Sequence, residues 1–280
     1  MPTLTTSLAE IAGSRDPRGM LDSLGQVFAA FEDQDSGCRS YGIADREKRW
    51  FVKLAPDAAT AATLRSAWRL HTAVAHPVIL APVAFTDLGE RAGIVYPWAA
   101  GSVLYHPTNS HRPDRSDPSS PIHAFRAQPV PTVARVIDEI FDAHVAVAAT
   151  GFVAVDFYDG CMLYDPPTAT IRLIDLDHYR PGPYTVGTQP VPGSTRYLAP
   201  EERSPGATVD ERTTVYTLAR AALILLDEGD KESAFRGTPA QHQVLARATS
   251  ADPADRHASV TQFVAAWRAA QRAVRADCAD

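Results

Sequence analysis

The sequence predicts an α+β chain in two unequal parts, a small antiparallel sheet followed by a mainly helical region. Three observations predict it. Residues 24–100 alternate strand-like and helical pieces, residues 103–131 break all periodicity, and a long amphipathic helix at 133–150 opens the remainder. The 280 residues are 45% hydrophobic and 21% charged, which suits one large domain or two lobes.

Residues 1–23 read as an N-terminal extension. In the sheet half, 24–100, segments 26–31 and 41–43 flank a polar stretch at 32–40, and 49–54 alternates well enough for a third strand. Asp57 is placed to cap a helix running to about residue 75, with Leu64, Trp68 and Leu70 on its apolar face; His76-Pro77 ends it. Segments 78–83 and 93–96 complete five strands. The Pro-, Ser-, Asp- and His-rich break at 103–131 would be a loop of about 28 residues, a length that signals function or disorder.

The helical half, 101–280, continues with Val136, Ile137, Ile140, Phe141, Val145 and Ala148 on one helix face, stopped by Gly151. Segments 162–164 and 171–174 flank Asp165-Pro-Pro-Thr as strand, turn and strand. Segments 213–227 and 259–274 read as helices.

A net charge of −6 argues against a dedicated nucleic-acid binder. Cysteines 38, 161 and 278 are too few and too scattered for a disulfide framework or a zinc site, which suggests a reducing compartment. The opening MPTLTTSLAEIAGS lacks a basic segment followed by an apolar core, so no secretory leader is expected. The apolar run at 218–226 is too short for a membrane span. A cytoplasmic chain with no membrane and no nucleic-acid partner is the expectation.

Lys53 sits within the apolar strand of WFVKLA, an odd place for an amine unless it meets an anion or snorkels from an edge strand. Asp156 follows the long helix and a short apolar link. Asp175 ends another apolar strand, where a carboxylate is costly unless a cation, hydrogen bonds or a turn-capping role satisfies it. Gly193-Ser-Thr-Arg-Tyr-Leu-Ala-Pro-Glu201 and Arg256 complete the set.

In this order and spacing, over roughly 25–270, the chain resembles the protein-kinase-like superfamily, with atypical bacterial Ser/Thr protein kinases nearest and aminoglycoside-phosphotransferase-like kinases as relatives. The resemblance implies a bilobal fold holding ATP and Mg2+. It implies Lys53 on the phosphates, Asp156 orienting the acceptor hydroxyl, and Asp175 on the metal. Gly37, Ser40 and Gly42 would form the phosphate loop of 35–42. Tyr96, Trp98 and Ala99 would form the hinge that meets the base, and Glu201 would pair with Arg256 for structure.

The departures matter equally. The phosphate loop has two glycines rather than three. Ala67 stands where a lysine-holding glutamate is expected, Val155 where an arginine is, and Tyr158 where a lysine is. Thr214 replaces a helical anchoring aspartate, and Cys161 takes the second metal position, a soft thiol where magnesium prefers oxygen. Asp177 and Asp159 are nearby oxygen donors, and Asp177 is the expected second ligand. His106, His111, His123, Arg112, Arg115 and Arg126 in the insertion read as a charged loop, with a metal or anionic substrate as the sharper alternative. His71 and His144 read as core histidines.

The reading is thus an ATP-dependent phosphotransferase onto a hydroxyl acceptor, labelled a Ser/Thr protein kinase by the Ala-Pro-Glu word. A small-molecule kinase is the alternative favoured by Tyr158, the insertion and the short stretch at 228–240. A pseudokinase, binding nucleotide without turnover, is favoured by Ala67, Cys161 and the thin glycine loop.

Overall fold

The computed structural model describes residues 3–34, 36–45, 48–105, 115, 117–189 and 191–277. They divide into two units, one within 1–75 and 80–99, the other within 76–79 and 100–280. His106, His111, Arg112 and Asp35 lie outside the described residues.

The first unit begins with α1 (Leu4–Gly13) and α2 (Pro17–Leu24). Thr3 and Asp16 start them, each side chain accepting a backbone N–H of the first turn, and Pro17 takes a first-turn position that needs no donor. The sheet runs in order β1-β2-β3-β5-β4, antiparallel throughout. Its strands are β1 (Gln26–Phe31), β2 (Arg39–Asp45), β3 (Lys48–Ala55), β4 (Ala84–Asp87) and β5 (Ala92–Pro97), with α3 (Ala58–Ala73) between β3 and β4.

Asp57 caps α3 as expected: its carboxylate accepts the Thr60 N–H at 2.9 Å. Side chains two apart share a face of a strand. Tyr41, Ile43, Val52, Leu54 and Val95 therefore pack on Leu4, Leu8, Ile11 and Leu21, while Cys38, Ala55, Ile94 and Tyr96 pack with Ala61 and Leu64 of α3. The stretch read as an extension, 1–23, is thus one wall of this core.

The expected strand at 78–83 does not form. Pro77 and Pro82 interrupt its donors, Ile79 makes only an isolated bridge to Leu173 in the second unit's own fold, and the fourth sheet strand starts at Ala84 instead.

The second unit opens with β6 (Ser102–Val103), α4 (Pro121–Arg126) and α5 (Val130–Ala148). The 103–131 break therefore contains a helix, which Ser120 caps, and α5 begins three residues before the expected 133. Then come β7 (Phe152–Val153), β8 (Met162–Asp165), β9 (Thr170–Leu173), β10 (Arg180–Pro181), β11 (Tyr184–Thr185) and β12 (Thr208–Val209). Helices α6 (Glu211–Leu225), α7 (Pro239–Ala248) and α8 (Val260–Asp277) complete the unit. Strands β6-β8-β9 form one small sheet, with β10-β7 and β11-β12 as separate pairs.

The core of this unit forms where the apolar stripe of α5 meets α8. Phe141 packs on Phe263 and Trp267, and the Trp267 indole donates to Asp138 at 2.9 Å. Among the described residues the molecule is α+β, with a five-stranded antiparallel sheet and eight α-helices, none long and apolar enough to cross a membrane.

Because Ile11 is fully buried under the sheet, Ile11→Ala should cost about 2–5 kcal/mol in denaturant unfolding. A loss below about 0.5 kcal/mol would mean that α1 is not part of the cooperative fold.

Candidate functional site

In the first unit Lys53 lies on β3 between Ser40 and Ile94 in register, on the face that α3 covers, and is only 6% exposed. It is a central-strand lysine, so the edge-strand alternative does not apply. Ala67 of α3 is fully buried on the same side, so no acid from this helix reaches the lysine.

The expected phosphate-loop residues have local jobs. Gly37 adopts φ +72° in the β1–β2 turn, where its N–H donates to the Gln34 carbonyl at 2.9 Å. The Ser40 hydroxyl donates to Gln34 Oε1 at 2.9 Å. Gly42 lies within β2, and a Cβ there would come within 3 Å of the Phe28 and Trp98 rings.

The hinge residues are also engaged. The Tyr96 hydroxyl meets His71 Nε2 at 3.3 Å, and the Trp98 ring sits edge-on to Phe28 at 4.7 Å. The Trp98 N–H donates to the Arg49 carbonyl at 2.9 Å, which spends one backbone donor expected for a nucleotide base. Ala99 closes this unit.

In the second unit Asp156 and Asp175 come together through one side chain between them. The Cys161 thiol, with one proton to give, lies 3.3 Å from the Asp156 carbonyl oxygen and 3.8 Å from that of Asp175, the nearer being its main acceptor. The β8–β9 hairpin brings Asp175 there, because the Ile174 N–H donates to the Cys161 carbonyl at 3.0 Å. Both aspartates adopt left-handed backbone, φ +61° and +56°, which costs a non-glycine residue on the order of 1 kcal/mol. Asp177 is buried at 3% exposure, and His178 Nε2 lies 3.9 Å from Asp156 Oδ2.

Cys161, expected as a metal ligand, is fully buried and turned toward two backbone carbonyls. Burial pushes its thiol pKa well up, with the Asp175 and Asp156 charges adding, which favours the protonated thiol as a donor to the Asp156 carbonyl. Asp159 is likewise not an open donor: its carboxylate is fully buried and accepts two hydrogen bonds from Arg115, at 2.5 and 2.9 Å.

Thr214 does the work of an anchor. Its hydroxyl accepts the Ala154 N–H at 3.0 Å, fixing the chain two residues before Asp156. The segment at 193–201 closes on the same place. A Cβ on Gly193, at φ +139°, would meet Leu198 at 3.0 Å and lie 3.5 Å from Asp156 Oδ1. Asp156, Ser194, Tyr197, Glu202 and Thr217 line one crevice too tight to admit a water molecule.

Behind it, Glu201 and Arg256 form the expected pair, at 2.6 and 2.8 Å, and Thr213 donates to the same carboxylate at 2.7 Å. Burial would raise the Glu201 pKa, but Arg256 and Thr213 outweigh it and hold it below the usual range. The segment is also tied by charge. Arg196 binds Asp230 at 2.6 Å and Glu232 at 2.8 Å, and Arg220 binds Glu232 at 2.8 Å. Arg126, read as a possible substrate contact, is buried and donates to the Ile224 carbonyl at 2.9 Å, with Asp230 at 3.4 Å. His123 lies in α4. His144 is a core histidine as expected, between the Ile140 carbonyl at 2.7 Å and the Tyr179 hydroxyl at 2.8 Å.

Sequence reasoning missed Glu202 and His178 as neighbours of Asp156, and Arg115 as the partner of Asp159. Only the doubled acid after Ala199-Pro200 hinted at the first; the other two depend on long-range packing.

Glu202 generates a pH prediction. Burial, then the Glu201 and Asp156 charges, raise its pKa to about 7, against the Ala199 N–H and Arg256. The folded state therefore holds this proton more tightly than the unfolded chain does. Its contribution is full below about pH 4.5 and is lost as pH rises through about 7. The half-buried His71 and the buried His144, both pushed down to about 4 by desolvation, act in the opposite sense as pH falls below about 6.5. The difference between wild type and Glu202→Gln isolates the glutamate. From pH 5 to 8 the wild type should lose stability relative to this variant, by on the order of 3 kcal/mol. Parallel stability curves for the two proteins would refute the assignment.

No protein-family model matches this chain, and no curated protein matches it.

Proposed function

We propose that this chain is an ATP-dependent phosphotransferase of the protein-kinase-like kind, acting on a hydroxyl acceptor. The observation that carries the reading is the Cys161 joint. It brings two aspartates nineteen residues apart to one thiol, each in a left-handed conformation that the rest of the unit must hold. The Thr214 bond to Ala154 and the Glu201–Arg256 pair support it, since each lies where the resemblance requires a structural anchor.

In the proposed reaction the acceptor oxygen forms a bond to the γ-phosphorus while the bond from that phosphorus to the β–γ bridging oxygen breaks. ADP leaves, and Asp156 orients the acceptor hydroxyl and takes its proton. Lys53 is assigned to the nucleotide phosphates, and backbone groups near Tyr96 and Ala99 to the base.

Among the described residues no three His, Cys, Asp or Glu side chains gather as a metal set. Magnesium needs only one or two protein carboxylates, with phosphates and waters completing its shell. Asp175 and Asp177, hard oxygen donors two residues apart, fit that requirement and would hold it. When bound, magnesium neutralises phosphate charge.

The acceptor class has two readings. The Ala-Pro-Glu segment favours a protein Ser/Thr hydroxyl. A small molecule is favoured by a specific observation: residues 228–237 hold no α-helix and fold back instead through the Asp227–Phe235 bridge.

Incubation with magnesium and γ-labelled ATP tests the proposal. Label should leave ATP for protein or water. Asp156→Ala should cut turnover by about 10²–10⁴-fold while keeping nucleotide binding. Asp175→Ala and Asp177→Ala should weaken magnesium-dependent nucleotide binding itself. Nucleotide binding without turnover on any acceptor would replace the enzyme by a pseudokinase, and no nucleotide binding would reject both.

A further inference from the structure

The insertion at 103–131 lies outside every motif used so far, yet one of its side chains reaches the loop that carries Asp156. Arg115 donates to both carboxylate oxygens of Asp159, through Nε at 2.5 Å and Nη2 at 2.9 Å. Asp159 has no exposure, and the Arg115 side chain is 16% exposed. The guanidinium lies 4.7 Å from the centre of the Tyr105 ring, which is itself edge-on to Tyr158 at 5.6 Å. The backbone closes the same joint: the Tyr105 N–H donates to the Asp159 carbonyl at 3.1 Å, and the Ser120 hydroxyl to the Arg115 carbonyl at 3.3 Å.

Asp159 begins the short 3-10 turn that ends at Cys161. Asp159 and Cys161 share that turn, and the Cys161 sulfur lies 3.3 Å from the Asp156 carbonyl oxygen and 3.8 Å from that of Asp175. A bidentate arginine–carboxylate pair sets direction as well as distance, which a lysine cannot reproduce. Removing the arginine would leave a buried carboxylate three residues from Asp156 with its charge uncompensated.

We infer that Arg115, contributed by the insertion, is the positioning residue of the Asp156 loop. It grips Asp159 and so sets, through Cys161, the relative placement of Asp156 and Asp175. Arg115, Tyr105 and Ser120 are then part of the framework of this loop. The inference deepens the phosphotransferase reading, and its catalytic consequence rests on that reading, but the structural consequence does not.

The test uses the full chain with magnesium and γ-labelled ATP, together with backbone amide exchange. Arg115→Met should speed exchange at 157–161 and lower kcat on the order of 10²-fold, with KM for ATP within about twofold. Arg115→Lys should recover only part of kcat. Arg115→Met/Asp159→Asn removes the uncompensated charge, so it should regain thermal stability while kcat stays low. Unchanged exchange and kcat in Arg115→Met would overturn the inference. So would a double variant that regains both stability and kcat, because Arg115 would then only neutralise Asp159. If the wild type transfers no phosphate at all, the phosphotransferase reading fails, and exchange at 157–161 still decides whether Arg115 holds the loop.

Discussion

The buried Glu201–Arg256 ion pair is the constraint on which the second unit depends. Arg256 spends all five of its donor hydrogens. Two go to Glu201 and the others to the carbonyls of Arg212, Ser250 and Ala251. Its guanidinium also lies 4.8 Å from the centre of the Tyr216 ring. Three pieces of chain far apart in sequence are thereby fixed to one planar group: the turn at Pro200–Arg203, the start of α6, and the link between α7 and α8. Replacing such a pair by well-packed apolar groups can be neutral. Removing one partner leaves a buried charge and costs about 3–5 kcal/mol. Pairing of this kind therefore enforces a particular arrangement more than it adds stability.

From that fixed point the order passes outward by hydrogen bonds. The turn that carries Glu201 also carries Glu202, whose carboxyl accepts the Ala199 N–H at 2.8 Å and lines the tight crevice beside Asp156. Helix α6, held at its start by Thr213 on Glu201, presents Thr214 to the Ala154 N–H one residue later. Two neighbouring threonines thus serve the ion pair and the Asp156 loop at once. The left-handed backbone at Asp156 is held on one side by Thr214 and on the other by Cys161, and a strained conformation persists when its surroundings over-determine it.

Much of this was legible in the sequence where the signal is local. Strand alternation in β3, the Asp57 cap and the apolar stripe of α5 each follow from period or capping chemistry within one segment. The Glu201–Arg256 pair was legible through resemblance alone, because no local rule links residues so far apart. The rest depended on tertiary packing. An apolar run at 78–83 cannot show that two prolines will deny it a place in the sheet. Gly42 reads as a phosphate-loop glycine, yet the Phe28 and Trp98 rings give it a packing reason. Cys161 reads as a poor metal ligand because sequence gives its position and not its direction. Burial and two carbonyl acceptors make it a donor.

The departures from the resembling pattern share a physical direction. Val155, Thr214 and Ala67 are nearly or fully buried, and each is neutral where a charged side chain was expected. Charge is expensive in such places unless each ion meets a partner, so removing one member of a charged set favours removing the others. An aspartate at 214 would put a negative charge against a loop segment lined by Ala154 and Val155. A threonine offers the same acceptor to the Ala154 N–H and needs no counter-ion. The charges of this unit are instead gathered elsewhere, in the Arg196, Arg220, Asp230 and Glu232 cluster and in the Arg115–Asp159 pair, where every ion has an opposite. A neutral hydrogen bond from Thr214 holds the backbone before Asp156, the Arg115–Asp159 pair holds the turn after it, and further ion pairs hold the segments that close around it.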